Sequence, residues 1–147
     1  MKTILYAFTS IVALALLTVP TRADDKADRA GLIGSWVQNG GTHAWVIDTQ
    51  PDGLHVTEIE NYSPIADFQC NTYGQSCDVK ISGHKATVSM YYNGSALVQL
   101  ETKGDDIVKR RFSVSGNSMK VEVTPMTGHV QTQELEFERG QPQIRKK

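Results

Sequence analysis

The chain has 147 residues and a formal net charge of −1 at pH 7, with 21% charged and 7% aromatic residues. That makeup belongs to an ordinary folded domain; it offers no basic excess for nucleic acid and no long acidic run. The length suffices for one domain with one core and is too small for two.

Residues 1–23, "MKTILYAFTSIVALALLTVPTRA", carry Lys2, an apolar run from about Ile4 to Val19, and small residues before a cut after Ala23. This is the pattern of a secretory signal peptide. A membrane anchor needs about 20 apolar residues, and this run is shorter and interrupted by Thr and Ser. The mature chain is therefore expected to be secreted or periplasmic, with no membrane span. Residues 24–33 are charged and read as a flexible lead, and residues 140–147 as a flexible tail.

Between them, residues 34–139 form short alternating segments separated by turn residues, with no helical period. The expected strands are Gly34 to Asn39, His43 to Thr49, Leu54 to Asn61, Ala86 to Tyr92, Ala96 to Thr102, Ile107 to Val114, Met119 to Pro125 and Gln131 to Glu138. The turns between them are rich in Gly, Asn, Asp, Ser and Pro. The stretch Ser63 to Lys85 reads as one long loop, with room for a short strand near Val79 to Ile81. Both cysteines of the chain, Cys70 and Cys77, lie in it. Export, an even count and the short spacing predict a disulfide between them that pins the loop. A metal site would need further ligands nearby, so neither a metal nor any other cofactor is expected.

Register follows from asking which hairpin pairing gathers apolar residues on one face, since a one-residue slip scatters them. Folding about "QPDG" sets Thr49 opposite Leu54, Ile47 opposite Val56 and Trp45 opposite Glu58. Folding about "SGNS" sets Val114 opposite Met119, Phe112 opposite Val121, and Arg111 opposite Glu122 on the outer face. Reading "NGS" as a three-residue turn gathers Val88, Met90 and Tyr92 with Ala96, Val98 and Leu100. Eight strands, each with one apolar face and joined by tight hairpins, imply an all-β fold, an eight-stranded antiparallel up-and-down barrel that hides that face by closing.

The start of the first strand, Gly34-Ser35-Trp36, resembles the Gly-x-Trp opening of the lipocalins and the wider calycin group, small exported bacterial members in particular. The resemblance implies that Trp36 plugs the closed end of the barrel against Arg139, which follows the last strand. The pairing would be a guanidinium over an indole. The Thr-Asp-Tyr turn of lipocalins is replaced here by "SGNS", and the helix after the last strand is missing.

With Trp36 closing one end, "NGG", the disulfide loop, "KGDD" and "MTGH" are expected around the other. Ile65, Phe68 and Tyr73 would then either cover the mouth or pack on the rim. His43, Glu58 and Glu60, joined by Gln133, collect on the inner face toward that mouth. His129 falls in a turn there, and His55 and His84 read as surface residues.

Alternation also sends one of two adjacent arginines inward: Arg111 faces water and Arg110 the interior. A buried guanidinium must be neutralised. Either Glu58 or Glu60 pairs with Arg110, or Arg110 with Gln133 holds the anionic head of an amphipathic ligand. No nucleophile with its base and no known catalytic motif is present, so the chain does not read as an enzyme. The expected function is binding of a small hydrophobic or amphipathic molecule. The alternative is an interaction protein, such as an inhibitor of an extracellular enzyme, acting on a protein partner through its rim loops with a filled barrel.

Overall fold

The structure, a computed structural model, describes residues 25–145; the signal-peptide reading of residues 1–23 lies outside them. A short helix, α1 (Asp25–Gly31), precedes ten strands: β1 (Gly34–Gln38), β2 (Ala44–Gln50), β3 (Gly53–Glu60), β4 (Ser63–Cys70), β5 (Tyr73–Ile81), β6 (His84–Asn93), β7 (Ala96–Lys103), β8 (Asp106–Ser115), β9 (Ser118–Pro125) and β10 (Gln133–Arg139). Each strand pairs with its sequence neighbour and β1 pairs with β10, closing an antiparallel up-and-down barrel. No helix among the described residues is long and apolar enough to cross a membrane.

The count is ten and not eight, because the expected Ser63–Lys85 loop is the hairpin β4–β5. Its inward positions, Ala66, Phe68, Cys70, Val79 and Ile81, are all buried in the core. Two of the inward residues are the cysteines, Cys77 being half-buried beside that core, so the period-2 pattern is hidden behind residues that read as a loop staple. Two extra strands leave the parity of the chain unchanged, and β10 still returns to the end where β1 begins. They do move the disulfide. The β4–β5 turn lies at the end where Trp36 sits, beside the β2–β3 turn: a side chain added to Gly53 would run into the Cys70 carbonyl. The disulfide loop does not rim the mouth.

The pairings about "QPDG" and "SGNS" are present as read. The "NGS" hairpin differs by one residue. Asn93 pairs with Ala96 around a two-residue Gly94-Ser95 loop, which sets Met90 opposite Gln99 and Val88 opposite Glu101. Gly94 takes φ +62°, the left-handed first position of a tight hairpin loop. Gln99 and Glu101 therefore share the inner face with Leu97, and Val98 turns outward, where it pairs with Tyr91 and Arg111 and is still buried.

At the start of β1, Trp36 is fully buried and its indole Nε1 donates to the Leu32 carbonyl at 2.9 Å. Arg139 pairs with Trp36 in the ladder, and its guanidinium carbon lies 4.3 Å from the indole centroid. The same guanidinium donates to the carbonyls of Ile33 at 3.0 Å and Gly31 at 2.5 Å. Gly34 has φ +133°, and a side chain there would meet the Arg139 guanidinium at 2.7 Å; glycine is needed for both conformation and space. Before β1, Leu32 is buried in the core, and Arg29 donates to the Gly94 carbonyl at 2.9 Å and lies 4.6 Å from the Tyr92 ring centre. The lead expected as flexible is thus helical over Asp25–Gly31 and sits across the Trp36 end. Burial raises the Tyr92 phenol above its ordinary value of 10.0, with Arg29 pulling the other way.

Past β10, Gly140 donates to the Ser35 carbonyl and Arg145 to that of Tyr62. Residues 141–143 face Ala44 and Ile59 on the outer wall.

Trp36→Ala should cost about 3 to 5 kcal/mol, as a large buried ring removed from a core does, and Arg139→Ala about 1 to 2 kcal/mol from the lost cation–π contact and carbonyl bonds. Urea unfolding measures both; equal costs would show that the guanidinium does more than cover the ring. Because the folded state holds the Tyr92 proton more tightly, its contribution to stability is complete below pH 10 and is lost as pH rises through the raised value. Unfolding of wild type and Tyr92→Phe between pH 8 and 11 should therefore show a steeper alkaline loss for wild type.

Candidate functional site

The interior polar groups sit on three parts of the wall. On β2 and β3, His43 Nε2 lies 2.9 Å from a carboxylate oxygen of Glu58. On β7 and β8, Arg110 pairs with Glu101, the two side chains being 15% and 10% exposed. Glu101 sits one inward position along from Gln99, which is directly opposite Arg110 in the ladder. A diagonal neighbour of this kind is within reach of a long side chain.

Arg110 is the interior arginine, as alternation requires, but its partner is neither Glu58 nor Glu60. Glu58 is taken by His43, and Glu60 is exposed at the end of β3. From the opposite wall, Trp45 reaches the same guanidinium, whose carbon lies 5.9 Å from the indole centre. Trp45 is fully buried and packs edge to face on Phe112 at 5.1 Å, while His43 stands 5.4 Å from both Trp45 and Phe137.

Two buried polar atoms in this region have no hydrogen-bond partner among the described residues: Trp45 Nε1, a donor, and Gln99 Oε1, an acceptor. Trp45 is 0% and Gln99 1% exposed. Buried polar groups are almost always paired, so each such exception calls for a physical explanation.

The wall itself is incomplete in one place. Between β4 and β5 a single residue pair, Ala66 with Ile81, is joined in the ladder, helped by Ser82 N donating to the Ile65 carbonyl at 2.7 Å. Four residues along each strand from that pair, Cys70 is joined to Cys77 by the disulfide, with Cα atoms 5.8 Å apart. The stretch between these two ties is unzipped and opens a slot of about 650 Å³. On its outer side stand Asp67, Gln69, Asp78, Lys80 and Lys85; on its inner side stand Phe68, Val79 and Ala86, all members of the buried core. The slot is thus a cleft between the two strands, charged at its outer rim and floored by side chains of the apolar core.

Of the residues singled out from sequence, His43, Glu58 and Arg110 come together inside and Phe68 lines the slot. Gln133 is exposed at the mouth end of β10. Tyr73 stands apart: it is 79% exposed on the outer wall, paired with Tyr91 near the Trp36 end. His55 and His84 lie on the outside, His55 Nε2 being 2.5 Å from Asp67, and His129 is exposed in the segment between β9 and β10. The residues that sequence reasoning missed are Gln99 and Glu101. Reading Gly94-Ser95 as a two-residue loop would have turned both inward. Among the described residues no cluster of three His, Cys, Asp or Glu side chains could hold a metal ion.

The fold is that of the lipocalin-like and fatty-acid-binding barrels. A secretory abundant heat soluble protein from Ramazzottius varieornatus superposes with a TM-score of 0.65 at 12% identity, over 75% of this chain and 96% of its own. A Schistosoma mansoni fatty acid binding protein in complex with arachidonic acid gives 0.61 at 16%, over 78% and 99%. A fatty acid transporter, REP1-NXSQ, gives 0.60 at 16%, over 76% and 98%. No protein-family model matches the sequence, and no curated protein does.

Replacing both Cys70 and Cys77 with Ser should leave a β-type far-ultraviolet spectrum and cost about 2 to 3 kcal/mol, the loop-entropy value for so small a ring. Thermal unfolding reads the loss; collapse of the spectrum would show that the slot cannot be left with one tie.

Proposed function

We propose that the protein is an exported binding protein that admits a small hydrophobic or amphipathic molecule into its barrel through the β4–β5 slot. The observation that carries this reading is the slot itself, a gap of about 650 Å³ that leads to Phe68, Val79 and Ala86. Its volume is that of small-molecule pockets, and an apolar floor of Phe68, Val79 and Ala86 lies beneath a polar rim. Two of the structurally similar proteins are, by their descriptions, a fatty acid binding protein with arachidonic acid and a fatty acid transporter. The low identities make this support from fold, and the slot supplies the support from this chain.

On this reading the apolar part of the ligand lies against Phe68, Val79 and Ala86, and the polar part meets the groups around Arg110. His43 and Glu58 close the same interior from the mouth side. Glu60 and Gln133 border that mouth, and Tyr73 takes no part. No cofactor and no catalytic step are invoked. A disulfide suits an oxidising compartment, in keeping with export.

A second reading has one observation in its favour. Trp45, Phe112 and Phe137 fill part of the interior with their own rings, as a protein acting on a partner through its rim loops would allow. Native mass spectrometry of the protein purified mildly from the exporting cell separates the two, with an adduct of small-molecule mass expected. A fluorescent fatty-chain probe should also bind wild type and bind Ala86→Trp at least about tenfold more weakly, because the new ring fills the slot. No adduct and no probe binding by wild type would leave the rim reading standing.

A further inference from the structure

We infer that the head group recognised inside the barrel is electrically neutral and carries both a hydrogen-bond donor and an acceptor, a hydroxyl being the smallest example, and that Trp45 and Gln99 recognise it. The inference rests on the ligand-binding reading above and names the ligand class.

Charge excludes the obvious alternative. Arg110 is the group to which a ligand carboxylate would turn, yet Glu101 already faces it, and His43 already faces Glu58. An incoming carboxylate would have to displace Glu101, which is buried. It would leave that carboxylate buried without its cation, which costs more than the new pair returns. Adding an anion beside the intact pair places two negative charges on one guanidinium in a low-dielectric interior. An ammonium head meets the converse problem, since both inner carboxylates have partners.

What the interior lacks is a partner for one donor and one acceptor. Trp45 Nε1 is an N–H, and Gln99 Oε1 is a carbonyl oxygen. Both residues border the same group: Gln99 is opposite Arg110 in the ladder, and the Trp45 ring lies beside the Arg110 guanidinium. A hydroxyl has both complements, a lone pair for the indole N–H and a hydrogen for the amide oxygen, and on this inference the head group lies between the two residues, beside Arg110. A site built this way rejects analogues that lack the group, because its own polar atoms are then left unpaired.

The way in agrees. Cys77, at the lower tie of the slot, pairs with Val88, and Val88 pairs with Glu101 across the next strand. The row beside it runs Met90, Gln99, Arg110. The slot thus opens two strands from the orphaned amide. Its outer rim has Asp67 and Asp78 against Lys80 and Lys85, a balanced set that steers neither sign of charge.

A buried water has the donor and acceptor character of a hydroxyl, and the experiment separates the two. 1-Decanol, decanoate and decylammonium, of equal chain length, are titrated at pH 7 against the bound fluorescent fatty-chain probe on wild type, Gln99→Met and Trp45→Phe. Decanol should displace the probe at a concentration at least about tenfold below the other two, and each substitution should remove about tenfold of that advantage while leaving decanoate and decylammonium unchanged. Without ligand, Gln99→Met should melt no lower than wild type, since it deletes an unpaired buried oxygen; should it fail to fold, Trp45→Phe carries the comparison.

Decanoate binding as well as decanol, with loss in Arg110→Met, would overturn this inference and keep the ligand-binding reading. A decanol advantage that survives both substitutions would mean that water alone occupies the place, and would overturn it too. Displacement by none of the three amphiphiles, together with no binding of the probe, would remove the ligand-binding reading and this inference together.

Discussion

The closure of β1 against β10 is the constraint from which the rest of the structure follows. One pair in that seam, Trp36 with Arg139, joins the two ends of the sheet and seals one end of the barrel. The arrangement uses a ring with no exposure, a guanidinium over its face and a glycine where any side chain would strike that guanidinium. Leu32 and helix α1 add a second layer over the same end. With that end shut, nine of the ten seams are held by runs of ladder pairs, two of them with a bulge, and the β4–β5 seam by one pair and the disulfide. The mouth is narrowed by His43 and the Trp45, Phe112 and Phe137 rings. The β4–β5 seam is left as the least paired part of the wall.

An unzipped seam is a liability in a sheet, since free backbone groups and a free edge invite unfolding and foreign pairing. Here the length of the gap is bounded on both sides. The Ala66–Ile81 pair, with the bond from Ser82 to Ile65, holds one end, and the disulfide holds the other. Since the cysteines continue the register of Ala66 and Ile81, the covalent bond stands where a pair of ladder hydrogen bonds would otherwise be needed. Its contribution lies as much in fixing the slot's geometry as in stability, which for a ring this small is modest.

Much of the barrel is written in the sequence through turns and alternation. "QPDG" and "SGNS" flank strands whose apolar residues agree with only one register, and the pairs Trp45–Glu58 and Phe112–Val121 follow directly. The β4–β5 hairpin was hidden for a physical reason: Ala66, Cys70 and Cys77, small or thiol-bearing, share its inward face with Phe68, Val79 and Ile81 and break the run of β-formers there. The "NGS" turn failed differently. Val98 and Leu100 are the more apolar set and claim the inner face on hydrophobicity, but a Gly at the first position of a two-residue loop turns Gln99 and Glu101 there instead. Turn stereochemistry outranked apolar patterning, because Val98 could still be buried on the outside beneath its cross-strand neighbours.

The one-residue difference at Gly94 also decides what the interior can bind. In the slipped register β7 would present only hydrocarbon beside Arg110, a site for an anion. In the observed register the same strand brings a carboxylate that neutralises the arginine and an amide that lacks a partner. Neutralisation stabilises the barrel, because a buried guanidinium cannot shed its proton. The amide oxygen and the Trp45 N–H oppose that gain, since each is desolvated without a partner. Departures from local satisfaction of this kind are expected where a sequence serves function as well as folding. In this barrel both neighbour one guanidinium, that of Arg110: Gln99 as its partner in the ladder and Trp45 through its ring.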